Sequence, residues 1–241
     1  MSIPKKQKSG QVVKERKKLT IRQIIRLVIY GFAGLLLVFF LILYLLYLSA
    51  QKEPEFYRDA INVPEDVQKL RSAVVVDKIV ELNNNFQSRS KSWSGEFTDD
   101  EINAYLAIEA TKSGSKLLPS EVSNPRIAFA ANSIMIASRI RQSGVSVVLN
   151  ISFSATLPEP NKLIFKMRTS QLGSLPLSKE YVSNLAADVF RRQWGNVTPG
   201  TDGGEPTFTI QLNLKNSTGK KVNIEHVEIQ EGVLRFAGTT E

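Results

Sequence analysis

His226 is the only histidine in this chain, and there is no cysteine. The residue types most used for acid–base, nucleophilic and metal chemistry are therefore nearly missing. One histidine excludes a multi-histidine metal site, and a Ser-His-Asp arrangement would have to be built on it alone. No G-x-S-x-G elbow occurs, and His226 lies in VNIEHVEI, where strand alternation slips, so it is expected to be a structural or surface residue. Without thiols, thiolate catalysis, Cys-ligated zinc and iron–sulfur clusters are excluded. Ser88/Lys91, Ser113/Lys116 and Ser217/Lys220 fit Ser-x-x-Lys, but the companion S-D-N and K-T-G elements are missing and each pair falls in an apparent loop. Asp99, Asp100 and Glu101 suggest a cation, yet they open an expected helix, where the dipole explains them. Asp202 and Glu205 flank glycines without the spacing of a calcium loop. Asn150, Asn196 and Asn216 begin N-x-S/T triplets, relevant only in a eukaryotic lumen, and Asn150 falls in mid-strand. No glycine pattern for phosphate binding occurs. The expectation is a protein that is not an enzyme, with no catalytic residue, cofactor or metal.

Charge and hydropathy say where such a protein works. Residues 27 to 48, LVIYGFAGLLLVFFLILYLLYL, carry no charged side chain. As a helix this stretch rises about 33 Å, enough for a hydrocarbon core of about 30 Å. Tyr30 lies near one edge, with Tyr44 and Tyr47 near the other, where amphipathic rings favour the interface. Before it stand Lys5, Lys6, Lys8, Lys14, Arg16, Lys17, Lys18, Arg22 and Arg26 against Glu15 alone, a net charge of about +8, equal to that of the whole chain. Positive flanks stay in the cytoplasm. The expected organisation is a basic cytoplasmic tail (1–26), a transmembrane anchor (27–48), a linker (49–63) and an extracytoplasmic domain (64–241). A cleaved signal peptide is the alternative, since Leu48-Ser49-Ala50 loosely resembles a cleavage site, but a signal h-region spans only about 7–15 residues. Nucleic acid is not an expected partner, because the basic excess sits in the tail rather than on a folded face.

The rest of the chain must supply a domain without disulfides. Gln51 to Val63 reads as a polar linker. Pro64, Glu65 and Asp66 suit the start of a helix carrying Val67, Leu70, Val74, Ile79 and Leu82 up to Asn83. Thr98 and Glu101 form a capping box for a second helix that ends before Ser113-Gly114. The period then changes to two. Ile134, Ile136 and Ile140 alternate with Met135, Ala137, Arg139 and Arg141. Val145, Val147, Leu149, Ile151, Phe153 and Ala155 line one face of a long strand, with Ser146, Asn150, Ser152, Ser154 and Thr156 on the other. Pro158 and Pro160 end it, and Leu163, Phe165 and Met167 begin the next. Ser178 and Gly195 bracket a third helix whose Val182, Leu185, Ala186, Val189 and Phe190 form a stripe suited to covering a sheet. Three further strands follow a loop of sequence PGTDGGEP. The expected fold is α+β: a long, curved antiparallel sheet covered on one face by two or three helices.

The succession GEFTDDEINAYLA (Gly95 to Ala107), meander strands, LGSLPLSKEYV (Leu172 to Val182) and EGVLRFAG (Glu231 to Gly238) resembles a pattern in single-pass bacterial envelope proteins. Their domains are similar to the tubular-lipid-binding and lipoprotein-carrier half-barrels, in which a curved sheet cups apolar ligands against helices. The resemblance spans residues 93 to 238 and carries over no catalytic residue. It implies that Gly173 and Pro176 set a turn and that Leu175 and Leu177 line a cavity mouth. An apolar ligand would lie on Val147, Leu149, Ile151, Phe153, Leu163 and Phe165, opposite Val182, Leu185 and Val189. The expected function is binding or handling of a lipid-like ligand at the cell (inner) membrane. The rival is a scaffold that holds an envelope protein partner. The topology is testable because the chain has no native cysteine. In intact cells, or in spheroplasts where an outer membrane intervenes, an impermeant maleimide should label Ser217→Cys and spare Ser9→Cys; the reverse pattern overturns the orientation.

Overall fold

The computed structural model describes residues 21–87, 92–111, 122–142, 144–194 and 197–241. The basic tail to residue 20 lies outside them, as do Ser88, Lys91, Ser113, Gly114, Lys116, Ser143, Gly195 and Asn196. Two compact units divide the chain after Leu45.

The described part of the first unit is the helix α1 (Ile21–Ala50), whose last turn already falls in the second unit. Its stretch Val28–Ala50 is long and apolar enough to cross a membrane, and none of that window is buried. A helix apolar on every side suits a solvent that is itself apolar, because its backbone groups bond internally.

The second unit begins at Leu46 and is an α+β fold. Its helices are α2 (Glu55–Ile61), α3 (Glu65–Gln87), α4 (Asp99–Thr111) and α5 (Lys179–Trp194). Its strands are β1 (Ser92–Thr98), β2 (Val122–Ala130), β3 (Ser133–Gln142), β4 (Val145–Glu159), β5 (Lys162–Leu172), β6 (Leu175–Pro176), β7 (Val197–Asp202), β8 (Glu205–Gln211), β9 (Val222–Gln230) and β10 (Val233–Thr240). All pair antiparallel, but they form two sheets where one long sheet was expected: β2-β3-β4-β5-β8-β7, and β1-β10-β9. The reason is non-local. The chain leaves β8 at Gln211 and turns at Asn216–Gly219, and β9 pairs with β10 rather than with β8. The last strand β10 then finds β1, whose polar-rich SWSGEFT carries little strand signal of its own.

Local signals hold where they are short-ranged. The Glu101 amide donates to Thr98 Oγ1 (3.2 Å) and the Thr98 amide donates to Glu101 Oε2 (3.0 Å), a complete capping box. Burial pushes the Glu101 carboxyl up, but the Lys78 ammonium from α3, 2.7 Å away, and the Thr98 amide hold it below the usual carboxylate range. The Val182 amide donates to the carbonyl of Ser178, which opens α5 as its sequence implies. Pro158 does not end its strand. It falls in a register shift between Thr156 and Glu159, and Pro160-Asn161 forms the turn to β5.

The expected linker is the clearest correction. Residues 55–61 form α2, and Tyr57 is fully buried against Ala137 and Val148. The expected wet face of the large sheet is thus partly covered, because Val148 and Ala137 interrupt its polar residues. The helices are also not gathered on one face of one sheet. α5 packs against β5, β7 and β8, whereas α3 and α4 pack on each other and on β1, and α4 reaches β2. There Asn103 donates to the Ile127 carbonyl (2.8 Å) and accepts from the Ile127 amide (2.7 Å), occupying the outer side of that edge strand.

Two left-handed asparagines join the sheets. Asn132 (φ 56°), in the β2–β3 turn, donates its amide to Ile229 of β9 (3.0 Å). Asn161 (φ 62°), buried in the β4–β5 turn, donates its amide to the Ile224 carbonyl (3.0 Å) and its Nδ2 to the Val222 carbonyl (2.9 Å) and to Asn223 Oδ1 (3.2 Å). Its Oδ1 accepts from the Ile224 amide (2.7 Å), and its carbonyl accepts from Leu212 (2.9 Å). Asn161→Gly keeps the backbone angle accessible but deletes the side-chain bonds, so it should cost about 2 kcal/mol; Asn161→Ala adds left-handed strain and should cost about 3 kcal/mol. Asn132→Gly, at an exposed turn, should cost less than about 1 kcal/mol. Thermal unfolding of the detergent-solubilised chain checks this, and equal losses at both positions would refute the role given to the Asn161 amide.

Candidate functional site

The largest core cluster lies between α5 and the large sheet: Phe153, Met167, Val182, Ala186, Ala187, Val197, Phe208 and Ile210. Its aromatic rings interlock in edge-on and tilted contacts with each other and with Phe190. Phe153 stands 6.1 Å from Phe208 and 6.0 Å from Phe190, and Phe190 stands 5.2 Å from Phe208. This packing closes one end of the space beneath α5.

The other end stays open. A groove of about 150 Å³ runs between α5 and strands β2–β4, lined by Val122, Ile136, Ser138, Ile140, Leu149, Ile151, Phe153, Val182, Leu185, Ala186 and Phe190. Among the described residues, Ser138 is the one polar residue in that lining. Leu149 and Ile151 project from alternate positions of β4, as period two requires, and Val182, Leu185 and Ala186 from one stripe of α5. Leu185 remains exposed at the rim. Hydrocarbon is the chemistry this surface suits, since it offers no charge and almost no hydrogen bond.

The expected ligand residues divide three ways. Leu149, Ile151, Phe153, Val182 and Leu185 come together in the groove. Leu163, Phe165 and Leu177 pack against the core cluster instead, where Phe165 meets Phe153 edge-on at 6.4 Å. Val147 and Leu175 are half-buried but do not line the groove, and the side chain of Val189 lies outside the described residues. Gly173 does set a turn (φ 61°). Ile136, Ser138 and Ile140 share the alternation of β3, so their presence is legible in the sequence. Val122 is not, because Asn124 and Pro125 interrupt the pattern of β2.

Charge holds the helix over the groove from its start. Lys179, the first residue of α5, donates to Glu205 Oε1 (3.0 Å), and Glu205 also meets Arg168 (3.0 Å) and Lys166 (3.3 Å). The Lys179 bond, with those other cations, holds the Glu205 carboxyl below its ordinary range. Lys166 also pairs with Asp202 at 2.9 Å, so both acids flanking the glycine loop are engaged by cations.

Two more voluminous, polar clefts lie elsewhere among the described residues. The larger, about 430 Å³, lies between α3 and the small sheet and contains His226, Lys78, Glu96, Glu228 and Arg235. His226 is exposed on β9 beside the register shift opposite Ala237/Gly238, where the alternation slips. Lys78 is paired with Glu101 and Arg235 with Glu96 (2.6 Å), so the cations of this cleft are already neutralised. Ser217 donates to Gln87 rather than to Lys220. Among the described residues no group of three His, Asp, Glu or Cys side chains is placed to hold a metal ion. The second cleft, about 350 Å³, lies beside residues 52–58.

Comparison with protein-family models, with curated proteins and with solved structures gives no match.

Leu149 and Phe153 both line the groove, but Phe153 is also buried in the core cluster whereas Leu149 is only half-buried. Phe153→Ala, in the closed cluster, should cost about 3–5 kcal/mol, whereas Leu149→Ala, which has open space on one side, should cost less than about 2 kcal/mol. Denaturation midpoints of the two variants decide this; equal costs would mean that the groove closes in solution.

Proposed function

We propose that this chain is a non-enzymatic, membrane-anchored extracytoplasmic protein that shelters part of an apolar, lipid-like ligand. Val28–Ala50 crosses the cell (inner) membrane once, with the basic tail in the cytoplasm. The observation that carries the ligand reading is the apolar groove under α5, with its single polar residue Ser138. At about 150 Å³ it is smaller than the roughly 300–1,000 Å³ of a site for a drug-sized molecule. An apolar cavity of about that size still stays free of water and takes a molecule such as benzene. The occupant that fits is therefore the end of an acyl chain, not a whole lipid. The resemblance to lipid-binding half-barrels agrees in kind, since it implies an apolar ligand held between a sheet and a helix.

The scaffold reading has an observation of its own. Leu70, Val76 and Val80 are exposed on α3, where a partner protein would cover them. A fluorescent fatty acid titrated into the detergent-solubilised full chain separates the two. Uptake should occur in wild type, rise in Leu149→Ala and fall in Ser138→Phe, which fills the groove without opening the core. No uptake by wild type or by Leu149→Ala would overturn the ligand reading in favour of the scaffold.

A further inference from the structure

The second polar cleft sits where the chain leaves the apolar helix, and its walls are fixed by unusual backbone contacts. The Ser49 carbonyl accepts three donors: the Ser174 amide (2.9 Å), the Ser174 hydroxyl (3.0 Å) and the Lys52 amide (3.3 Å). Gly173 lies so close that a Cβ there would stand 2.2 Å from the Ala50 carbonyl oxygen. The turn between β5 and β6 is thus clamped onto residues 49–52. Beside that clamp lies a cavity of about 350 Å³, lined on one wall by Lys52, Glu55 and Arg58 and on the other by Asn150, Gln171 and Ser174.

Three features of this cavity point to one kind of ligand. The Lys52 side chain makes no hydrogen bond or ion pair among the described residues, and Arg58 reaches its acids Glu55 and Asp59 only at 4.0 and 3.7 Å. The two cations are therefore available to an anion. Asn150 is nine-tenths buried, yet its Oδ1 has no hydrogen-bond partner. A buried acceptor without a donor costs free energy comparable to a lost hydrogen bond, so a ligand that brings an N–H gains by filling it. Glu55 adds a carboxylate at the same wall. Position supplies the third feature. Lys52 is two residues beyond Ala50, a reach of at most about 7 Å. The headgroup layer adds about 5–8 Å beyond the hydrocarbon on each side, so Lys52 falls within it.

We propose that this cavity binds the headgroup of a phospholipid that carries a primary ammonium. The phosphate lies against Lys52 and Arg58, and the ammonium donates to Asn150 Oδ1 and to Glu55. The proposal rests on the reading of Val28–Ala50 as a membrane span, but not on the apolar groove, which lies on the α5 side of the large sheet.

Native mass spectrometry of the full chain, released from micelles containing one added phospholipid at a time, tests it. Phosphatidylethanolamine should be retained about ten-fold more than phosphatidylcholine, whose quaternary ammonium has no N–H to donate, the difference expected from about one charge-assisted hydrogen bond. Lys52→Ala, an exposed position, should lower phosphatidylethanolamine retention about ten-fold with an unchanged melting temperature. Asn150→Ala should bring the two lipids to equal retention. Ser138→Phe should leave the preference intact, so that a failure of the acyl groove and a failure of this site are distinguishable. Carbonate extraction of membranes tests the span separately. Equal retention of the two lipids by wild type, or a Lys52→Ala variant that retains phosphatidylethanolamine as well as wild type does, overturns the proposal. So does competition by free phosphoethanolamine at the same concentration as the lipid, which would place the ligand in solution.

Discussion

The buried Asn161 amide holds together two sheets that share no strand. A left-handed residue in a two-residue turn aims its own backbone N–H outward, and here the side chain follows it into the same neighbour, β9. Asparagine suits this position for two reasons. It tolerates positive φ better than other residues with a Cβ, and its amide presents a donor and an acceptor spaced like those of a peptide group. Because Asn161 also accepts from Leu212, the end of β8 is set by the same turn. Asn132 repeats the device at the next hairpin with the backbone alone, and Gly232 returns a bond to Phe129. Two hairpin tips of the large sheet thus rest on β9, and through it on β10, β1 and the helices that cover them.

That joint leaves the opposite part of the large sheet with fewer neighbours. The end bearing Phe208 and Ile210 is filled by aromatic packing under α5, with Glu205 holding the start of the helix by its cations. The end toward Val122, Ile140 and Leu149 has no comparable aromatic plug among the described residues, and the helix bridges a groove there. The other side of β4 has a different cover. Tyr57 of α2 fills the space over Ala137 and Val148, and beyond it Asn150 faces a cleft of charged residues. A single strand therefore presents hydrocarbon chemistry on one face and polar chemistry on the other. Under the reading proposed for this protein, both faces belong to amphipathic molecules of one membrane.

Within the second unit, the residues that follow the apolar helix are fixed by geometry and are not a flexible tether. Ser49 is the acceptor for a turn of the sheet, Glu53 pairs with Arg139 of β3, and α2 follows at once with a buried tyrosine. Gly173 permits the closest approach, since any side chain there would collide with the Ala50 carbonyl. A segment that reads as polar and proline-bounded is in fact part of the core through Tyr57, whose partners Ala137 and Val148 are distant in sequence.

The sequence by itself determined what depends on neighbours in the chain. The apolar run that makes α1, the capping box of Thr98 and Glu101, the stripe of α5 and the alternation of β3 to β5 are all set within about a turn or a strand length, where periodicity and capping act. The groove residues Leu149, Ile151, Phe153, Val182 and Leu185 were legible for the same reason, since a face is a local property. Tertiary structure alone decided the rest. Which strand β9 joins, whether Leu163 and Phe165 line the groove or pack against the core cluster, and whether Tyr57 lies in a linker or a core all depend on contacts between residues far apart in sequence. A cavity is the volume left when those contacts are made, and no single stretch of residues encodes it.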